Sequence, residues 1–407
     1  MRKVPELRFA GFDGEWEEKK LSKIAKFSKG KGYSKNDLSN GKYPIYLYGQ
    51  MYTNYKSQIN EIETYTDSIK VNSILSKGNE VLIPSSGETA EDLARASHMN
   101  ISNVLLGGDL NIIEPIDGVN SHFLALELSN GSVKRSLSKK AQGKSVVHLY
   151  NSDIKNQKIN YTKFEEQEKI GYLFKKLDSL IEIQEGKVAK MEDFKKSMLQ
   201  KMFPKKDELV PEFRFDGFDS NWFVSRLGEV TSLRGGYAFK SQNYIENGIP
   251  ILRISNINSN GTTNEDYVYH TEILNDDNIS LDNGAIVLAM SGATTGKISI
   301  LKTQGKVYQN QRVGYFTKSD RIDYLYLSVI LRSHLFTSQL DKILIAGAQP
   351  NISSKDVEDF SFKFPSLAEQ AKIGQFFKNL DSQIENEEKL LESYKMMKKS
   401  LLQKMFV

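Results

Sequence analysis

One stretch of the chain invites a catalytic reading. Ser291-Gly292-Ala293-Thr294-Thr295-Gly296-Lys297-Ile298 follows an apolar run and resembles a loop that cradles nucleotide phosphates. Such a loop needs four residues between its glycines and a Ser or Thr after the lysine to hold magnesium. Only three residues separate Gly292 from Gly296, and Ile298 stands where the hydroxyl is required, so no nucleotide site is expected. Adenine amino-methyltransferases carry Asn/Asp-Pro-Pro-Tyr/Phe, and none of the nine prolines here adjoins another. No carboxylate pair leads convincingly to a nuclease Glu-x-Lys. His98, His122, His148, His270 and His334 are scattered without metal-ligand spacing. The absence of cysteine excludes disulfides, thiolate nucleophiles and Cys-ligated metals. No catalytic, cofactor-binding or metal-binding residue is expected, and the chain reads as a non-enzyme.

The residues that remain suit recognition. Lys and Arg neutralise phosphates, whereas Arg, Asn and Gln form bidentate pairs with guanine and adenine edges. Glycines beside them allow close backbone approach. In the first half the candidates are Lys31, Tyr33 and Lys35, then Lys140, Gln142 and Lys144. In the second they are Arg234, Tyr237, Arg253, Asn256, Thr294, Gln309, Asn310, Arg312, Gln349 and Asn351. For any one loop an ordinary polar surface is the simpler account; clustering in both halves lifts the set. A net charge of +4 and a pI near 8.7 are compatible with a nucleic-acid partner without demanding one.

These loops need a scaffold, and the sequence states its scaffold twice. Val4-Pro5-Glu6-Leu7-Arg8-Phe9-Ala10-Gly11-Phe12-Asp13, with Trp16 and Leu21 following, returns as Val210-Pro211-Glu212-Phe213-Arg214-Phe215-Asp216-Gly217-Phe218-Asp219, with Trp222 and Leu227. Residues 166–203 align on 369–406 without a gap, and 21 of 38 positions are identical. Such agreement indicates a duplication. The segments between the repeats, 17–162 and 223–365, share little sequence.

Each shared block lacks proline and carries an apolar stripe at heptad spacing. Ile170, Leu177, Met191 and Met198 form one row with Ile181 beside it; Ile373, Leu380, Tyr394 and Leu401 form the other with Ile384 beside it. The stripe predicts two long helices that pair with each other, and Gln184 and Glu387 interrupt it where they could fix register. Thirty-eight helical residues span roughly 57 Å. The lysines at 187, 190, 195, 196, 201, 205 and 206 read either as a solvated face or as an attraction to phosphates or an acidic partner. In the unshared segments, apolar runs at 81–84, 111–113, 249–254, 285–289 and 313–316 read as strands between Gly/Asn/Ser turns, and 323–340 reads as a helix.

The expected organisation is a head over 1–162, a shared helix over 163–203, a linker and second repeat start over 204–222, a second head over 223–365, and a second shared helix over 366–407. No run approaches the roughly 18 apolar residues of a membrane span, so no membrane association is expected. With no leader-like start and no cysteines, a cytoplasmic location is expected.

The paired Pro-Glu-x-Arg-Phe-x-Gly-Phe and Glu-Gln-x-Lys-Ile-Gly…Leu-Asp-Ser-x-Ile motifs resemble those of type I restriction-modification specificity subunits. So do Gly248-Ile249-Pro250-Ile251-Leu252-Arg253-Ile254-Ser255-Asn256-Ile257, Ser291–Gly296 and Ala348-Gln349-Pro350-Asn351-Ile352-Ser353. The resemblance implies an α+β protein. Two α/β target-recognition domains would be joined by two long antiparallel helices in a coiled coil, with a pseudo-twofold internal repeat. Each head would read half of a split, asymmetric site in double-stranded DNA, and the helices would set the gap. It further implies two modification subunits that carry S-adenosylmethionine and methylate adenine, and restriction subunits that use ATP and magnesium. The first head departs from the pattern, with Ser86-Gly87-Glu88-Thr89, Gly107-Gly108-Asp109-Leu110, and Gln142-Gly143-Lys144 where the second has Gln349-Pro350-Asn351, so different bases are expected for the two heads. The competing readings are a self-sufficient DNA methyltransferase and a coiled-coil assembly protein with protein-binding heads.

Overall fold

A computed structural model describes residues 4–143, 146–346 and 351–407. The chain is α+β and divides into two compact units, Met1–Gly186 with Lys389–Val407, and Lys187–Glu388. The division falls inside both long helices, Phe164–Lys201 and Leu367–Met405, so each unit holds one head and a segment of each helix.

In the first unit a five-stranded sheet runs in the order Ala25–Lys29, Leu110–Pro115, Glu80–Pro84, Ser97–Met99, Gln58–Ile59. A four-stranded sheet follows the order Tyr65–Thr66, Tyr43–Tyr46, Ser102–Leu106, Leu75–Lys77, and its central pair is parallel, with Leu105 opposite Ile45. The second unit repeats this plan without the fifth strand of the first sheet. One sheet orders Leu233–Arg234, Val313–Phe316, Ile286–Ala289, Ile298–Ile300. The other orders Val268–His270, Ile249–Leu252, Val307–Gln309, Ser280–Leu281, again with a parallel central pair, Ile251 opposite Tyr308.

Strand periodicity explains how one apolar run serves two cores. Val81 and Ile83 enter the core under the head's helices, while Leu82 faces the core between the sheets. Ile286 and Leu288 alternate with Val287 and Ala289 in the same way. A strand covered on both faces reads as a continuous hydrophobic run. In each unit an antiparallel ribbon ties the start of the head to its end, Glu17 to Tyr161 and Phe223 to Phe364, just before the long helix begins.

The helix expected over 323–340 is two helices, Tyr324–Leu331 and His334–Ala346. Ser333 folds back on the first, its backbone N–H and its hydroxyl both donating to the Ile330 carbonyl, and this interrupts the ladder. Among the described residues no helix is long and apolar enough to cross a membrane.

The duplicated motifs act as fixings, and the same atoms do the same work in both units. Arg8 clasps Glu166 with bonds of 2.6 and 2.8 Å, and Arg214 clasps Glu369 at 2.8 and 2.7 Å. Gln167 accepts from the Asn120 N–H, and Gln370 from the Asp323 N–H, at the starts of the helices Ser121–Ser129 and Tyr324–Leu331. Lys169 lies over the Phe12 ring and Lys372 over Phe218, each at 4.9 Å. Gly374 must lack a side chain, since a Cβ would stand 2.6 Å from the Tyr326 nitrogen. Trp16 packs on Phe123 and Phe406, and Trp222 on Tyr326 and Phe203.

Within each unit the helix segments run antiparallel. In the first, Asp178 pairs with Lys398, and Glu185 with Lys395 at 2.7 Å. In the second, Lys187 pairs with Glu387 at 2.7 Å and Lys195 with Asp381 at 2.6 Å. Ile170, Phe174 and Leu177 bury against Met405 and Phe406, with Leu401 at the margin. Ile373 and Phe377 share a core with Met202, flanked by Met198. Leu380 and Ile384 are buried, and Ile181, Met191 and Tyr394 are half-buried. Of the lysines along this stretch, Lys187, Lys195 and, with Glu212 at 3.2 Å, Lys201 pair with acidic residues of the chain itself.

Candidate nucleic-acid interface

In the second head, strand ends bring distant loops together. The Arg312 carbonyl accepts from the Met290 N–H, and the Met290 carbonyl accepts from the Ile352 N–H, both at 2.9 Å. Ser291 bridges to Asn351 across the same seam. The result is an open cleft lined by Met290, Ser291, Gly292, Gln311, Arg312 and Asn351. Gln311, Arg312 and Asn351 are exposed there. Tyr237, 51% exposed, lies at an adjacent corner: its N–H donates to the Gln309 carbonyl and its carbonyl accepts from the Gln311 N–H. Gly236 makes this approach possible, because a Cβ would sit 2.3 Å from the Asn310 oxygen.

Several candidates hold these loops instead of facing outward. The Gln309 side chain is fully buried; its amide donates to the Arg234 and Val313 carbonyls, and its oxygen accepts from the Arg234 guanidinium. Arg234 also donates to the Asp277 and Ser280 carbonyls and lies over Tyr315. Asn256 is fully buried, accepting from the Arg253 N–H and donating to Asn264 and the Asp266 carbonyl. Half-buried Arg253 donates to that same carbonyl at 3.3 Å. Thr294 donates to the Ile254 carbonyl, and the half-buried Asn310 side chain accepts from the Arg312 N–H. Asn256 and Gln309 thus have no polar atom left for a base. The stretch resembling a phosphate loop is a tight turn, with the Thr295 hydroxyl on the Gly292 carbonyl and Leu340 filling the space beside Gly296.

In the first head Tyr33 is also buried. Its hydroxyl contacts Ser73 at 2.7 Å and accepts from the Lys70 N–H at 2.7 Å, so it braces the loop that leaves Lys31 and Lys35 exposed. The Ser34–Asp37 capping box fixes the turn carrying Lys35. Lys140 is half-buried on the Asp153 carbonyl, and Gln142 is exposed. Lys144 and Gln349 lie outside the described residues. The seam corresponding to Ser291 and Asn351 is Ser86 with His148, so His148, rather than Gln142-Gly143-Lys144, holds the place of Asn351. His148 stacks on exposed Tyr150 with centroids 6.0 Å apart. The adjoining cleft is lined by Tyr48, Tyr52, Glu88, Asp92 and Arg95, among others; Tyr52 donates to the Ser86 carbonyl and Arg95 pairs with Asp92 at 2.5 Å.

A family model described as the type I restriction modification DNA specificity domain matches residues 13–193 and again 219–395. The chain belongs to the type I restriction-modification specificity-subunit family. It is 29% identical over 290 residues to the type I restriction enzyme MjaVIII specificity subunit of Methanocaldococcus jannaschii, covering 69% of this chain and 67% of that one. The fold resembles the type I restriction-modification S subunit from M. genitalium, with a TM-score of 0.68 at 16% identity over 99% of both chains. It also resembles a chain from a structural study of complex assembly and conformational transition of the type I R-M system, with a TM-score of 0.54 at 15% identity over 96% of this chain. Against this specificity-subunit background, His148 and Arg95 were not singled out from the sequence as site residues. Their signal was position, as neighbours of a Ser-Gly pair after a buried strand, and this becomes visible only once the strands are paired.

Proposed function

We propose that this specificity subunit reads a split, asymmetric site in double-stranded DNA, one half with each head, and makes or breaks no bond itself. The observation that supports this best is the repetition of one two-sheet topology with unlike residues beside the matching Ser-Gly seams. The second head presents Arg312, Gln311 and Asn351, whose side chains suit the major-groove edges of guanine and adenine. The first presents exposed Glu88 and half-buried His148, a set suited to different bases, with Tyr52 and Arg95 bracing the loops beside them. Exposed Lys31 and Lys35, with Gln142, Tyr237 and half-buried Lys140, would contact the backbone or the groove rim.

The long helices act in this reading as a coiled-coil spacer. Two modest half-site readings joined by a stiff spacer multiply, because the second becomes intramolecular. Two modification subunits, carrying S-adenosylmethionine for adenine methylation, would dock on the chain. Restriction subunits, using ATP and magnesium, would supply cleavage.

The test is a domain exchange. Replacing 223–365 with the matching segment of a relative of different specificity should change one half-site and leave the other and the gap intact, read by mapping methylated adenines in a host carrying the system. Both half-sites changing, or neither, would refute the assignment of one head to each half.

A further inference from the structure

We propose that Asp178 and Asp381 are positioning residues that fix the rotation of each head about its helix segments, and thereby set how strictly the gap between half-sites is read. The inference rests on the two-headed DNA reading above.

Each aspartate joins three parts of its unit. Asp178, on the central helix, accepts from the Ser57 hydroxyl of the first head at 2.6 Å and pairs with Lys398 of the C-terminal helix. The Ser57 oxygen also contacts His122 Nε2 at 3.0 Å. Asp381, on the C-terminal helix, accepts from Arg332 of the second head at 3.0 Å and pairs with Lys195 of the central helix at 2.6 Å. One helical turn further, Glu182 pairs with Lys56 of the first head at 3.1 Å, and Glu385 with Lys302 of the second at 3.0 Å.

The Gln167 and Gln370 contacts hold only the start of each helix, eleven residues before these aspartates. Two contacts four residues apart lie on one helix face a turn apart and remove the rotation. Tying the aspartate also to the opposite helix refers the head to the helix pair and not to one helix alone. Both aspartates are only about a quarter exposed, so their pairs are screened less than surface ones. The head-side partners, a serine and an arginine, come from segments with little shared sequence, yet they reach the same motif position. Unlike residues arriving at one atom in both heads point to a shared geometrical requirement.

The test uses the assembled complex of specificity and modification subunits, with duplexes that carry both native half-sites at the native gap and at gaps longer or shorter by one and two base pairs. Arg332→Ala and Ser57→Ala cut the head arm and spare the helix arm. Methylation at gaps one pair off should rise about tenfold relative to the native gap, the worth of one charge-assisted hydrogen bond, with the half-site bases unchanged. Arg332→Lys should restore much of the discrimination. If Arg332→Ala fails to assemble, the smaller Ser57→Ala change carries the measurement. Gap profiles of both head-arm variants superimposing on the parent, or altered base preference at a fixed gap, would overturn the proposal. A parent complex that methylates without regard to half-site sequence would instead refute the DNA reading, an outcome visible before any variant is made.

Discussion

The Arg8–Glu166 clasp offers a measurable account of how the N-terminal motif is held. The Glu166 side chain is fully buried and that of Arg8 is 13% exposed, with two charge-assisted bonds of 2.6 and 2.8 Å between them. Arg8→Ala leaves a buried carboxylate with the Thr162 hydroxyl as its remaining short contact. Stranding one member of a buried pair costs about 3–5 kcal/mol. The unit can relieve that cost by releasing residues 4–13 and letting water reach Glu166. The released segment is reported by the Leu7 N–H, which donates to the Lys404 carbonyl at 2.9 Å. Its amide exchange should speed up by roughly two to four orders of magnitude, the factor that cost implies. Arg8→Met with Glu166→Met removes both charges and keeps bulk, so it should recover most of the loss, because replacing a whole buried pair by apolar groups is close to neutral. The second copy is an internal replicate: Arg214→Ala should free the Phe213 N–H from the Lys201 carbonyl in the same order. The reasoning fails if the single variants exchange like the parent, or if the double variant exchanges as fast as the worse single one.

Two further outcomes follow from buried groups. Burial pushes Glu127 up to about 7, against hydrogen bonds from the Asn160 N–H and side-chain amide. Its folded value exceeds the unfolded one, so its charge is a liability that grows as pH rises from about 4.5 to 7. Glu127→Gln should therefore melt higher than the parent at pH 8, by roughly 3 kcal/mol or less, and converge with it near pH 4. Burial lowers His98 and His122 to about 4, so they stay neutral in the fold while the unfolded chain takes up protons below pH 6.5, and stability complete above pH 6.5 is lost as pH falls towards 4; melts of the Glu127→Gln variant should drop steeply across that window. Gly374→Ala should cost about 1–3 kcal/mol in the second unit, because the added methyl meets backbone at 2.6 Å, whereas Gly186→Ala, with open space around it, should be neutral or mildly stabilising by melting.

Periodicity and repetition were legible in the sequence. The heptad stripe located helices now seen at Phe164–Lys201 and Leu367–Met405, and the buried runs at 81–84, 286–289 and 313–316 are strands. The heads' common topology was not legible, because strands of two to six residues carry little pattern and parallel pairs such as 45 with 105 join residues far apart in sequence. Site residues were legible only by type. Tyr33, Asn256 and Gln309 have the chemistry of contact residues, but type does not tell whether a side chain's hydrogen bonds are already used inside the fold. Register does tell: it placed His148 opposite Ser86, where spacing along the chain had pointed to residues 142–144.

The division between what repeats and what varies has a physical logic. At the starts of the shared helices the repeated residues bond to backbone groups or to other repeated residues: Gln167 and Gln370 take a backbone N–H, and Glu166 and Glu369 take a repeated arginine. Such bonds survive any change in head sequence that preserves the backbone path. The cleft side chains hang from loops whose shape is set one layer deeper, by Gln309 and Arg234 in one head and Tyr33 in the other. Substituting Arg312 or Asn351 therefore leaves every fixing in place. A new surface chemistry can be fitted to an unchanged frame, and a frame assembled largely from backbone acceptors and donors is what allows two unrelated sequences to occupy the same fold in one chain.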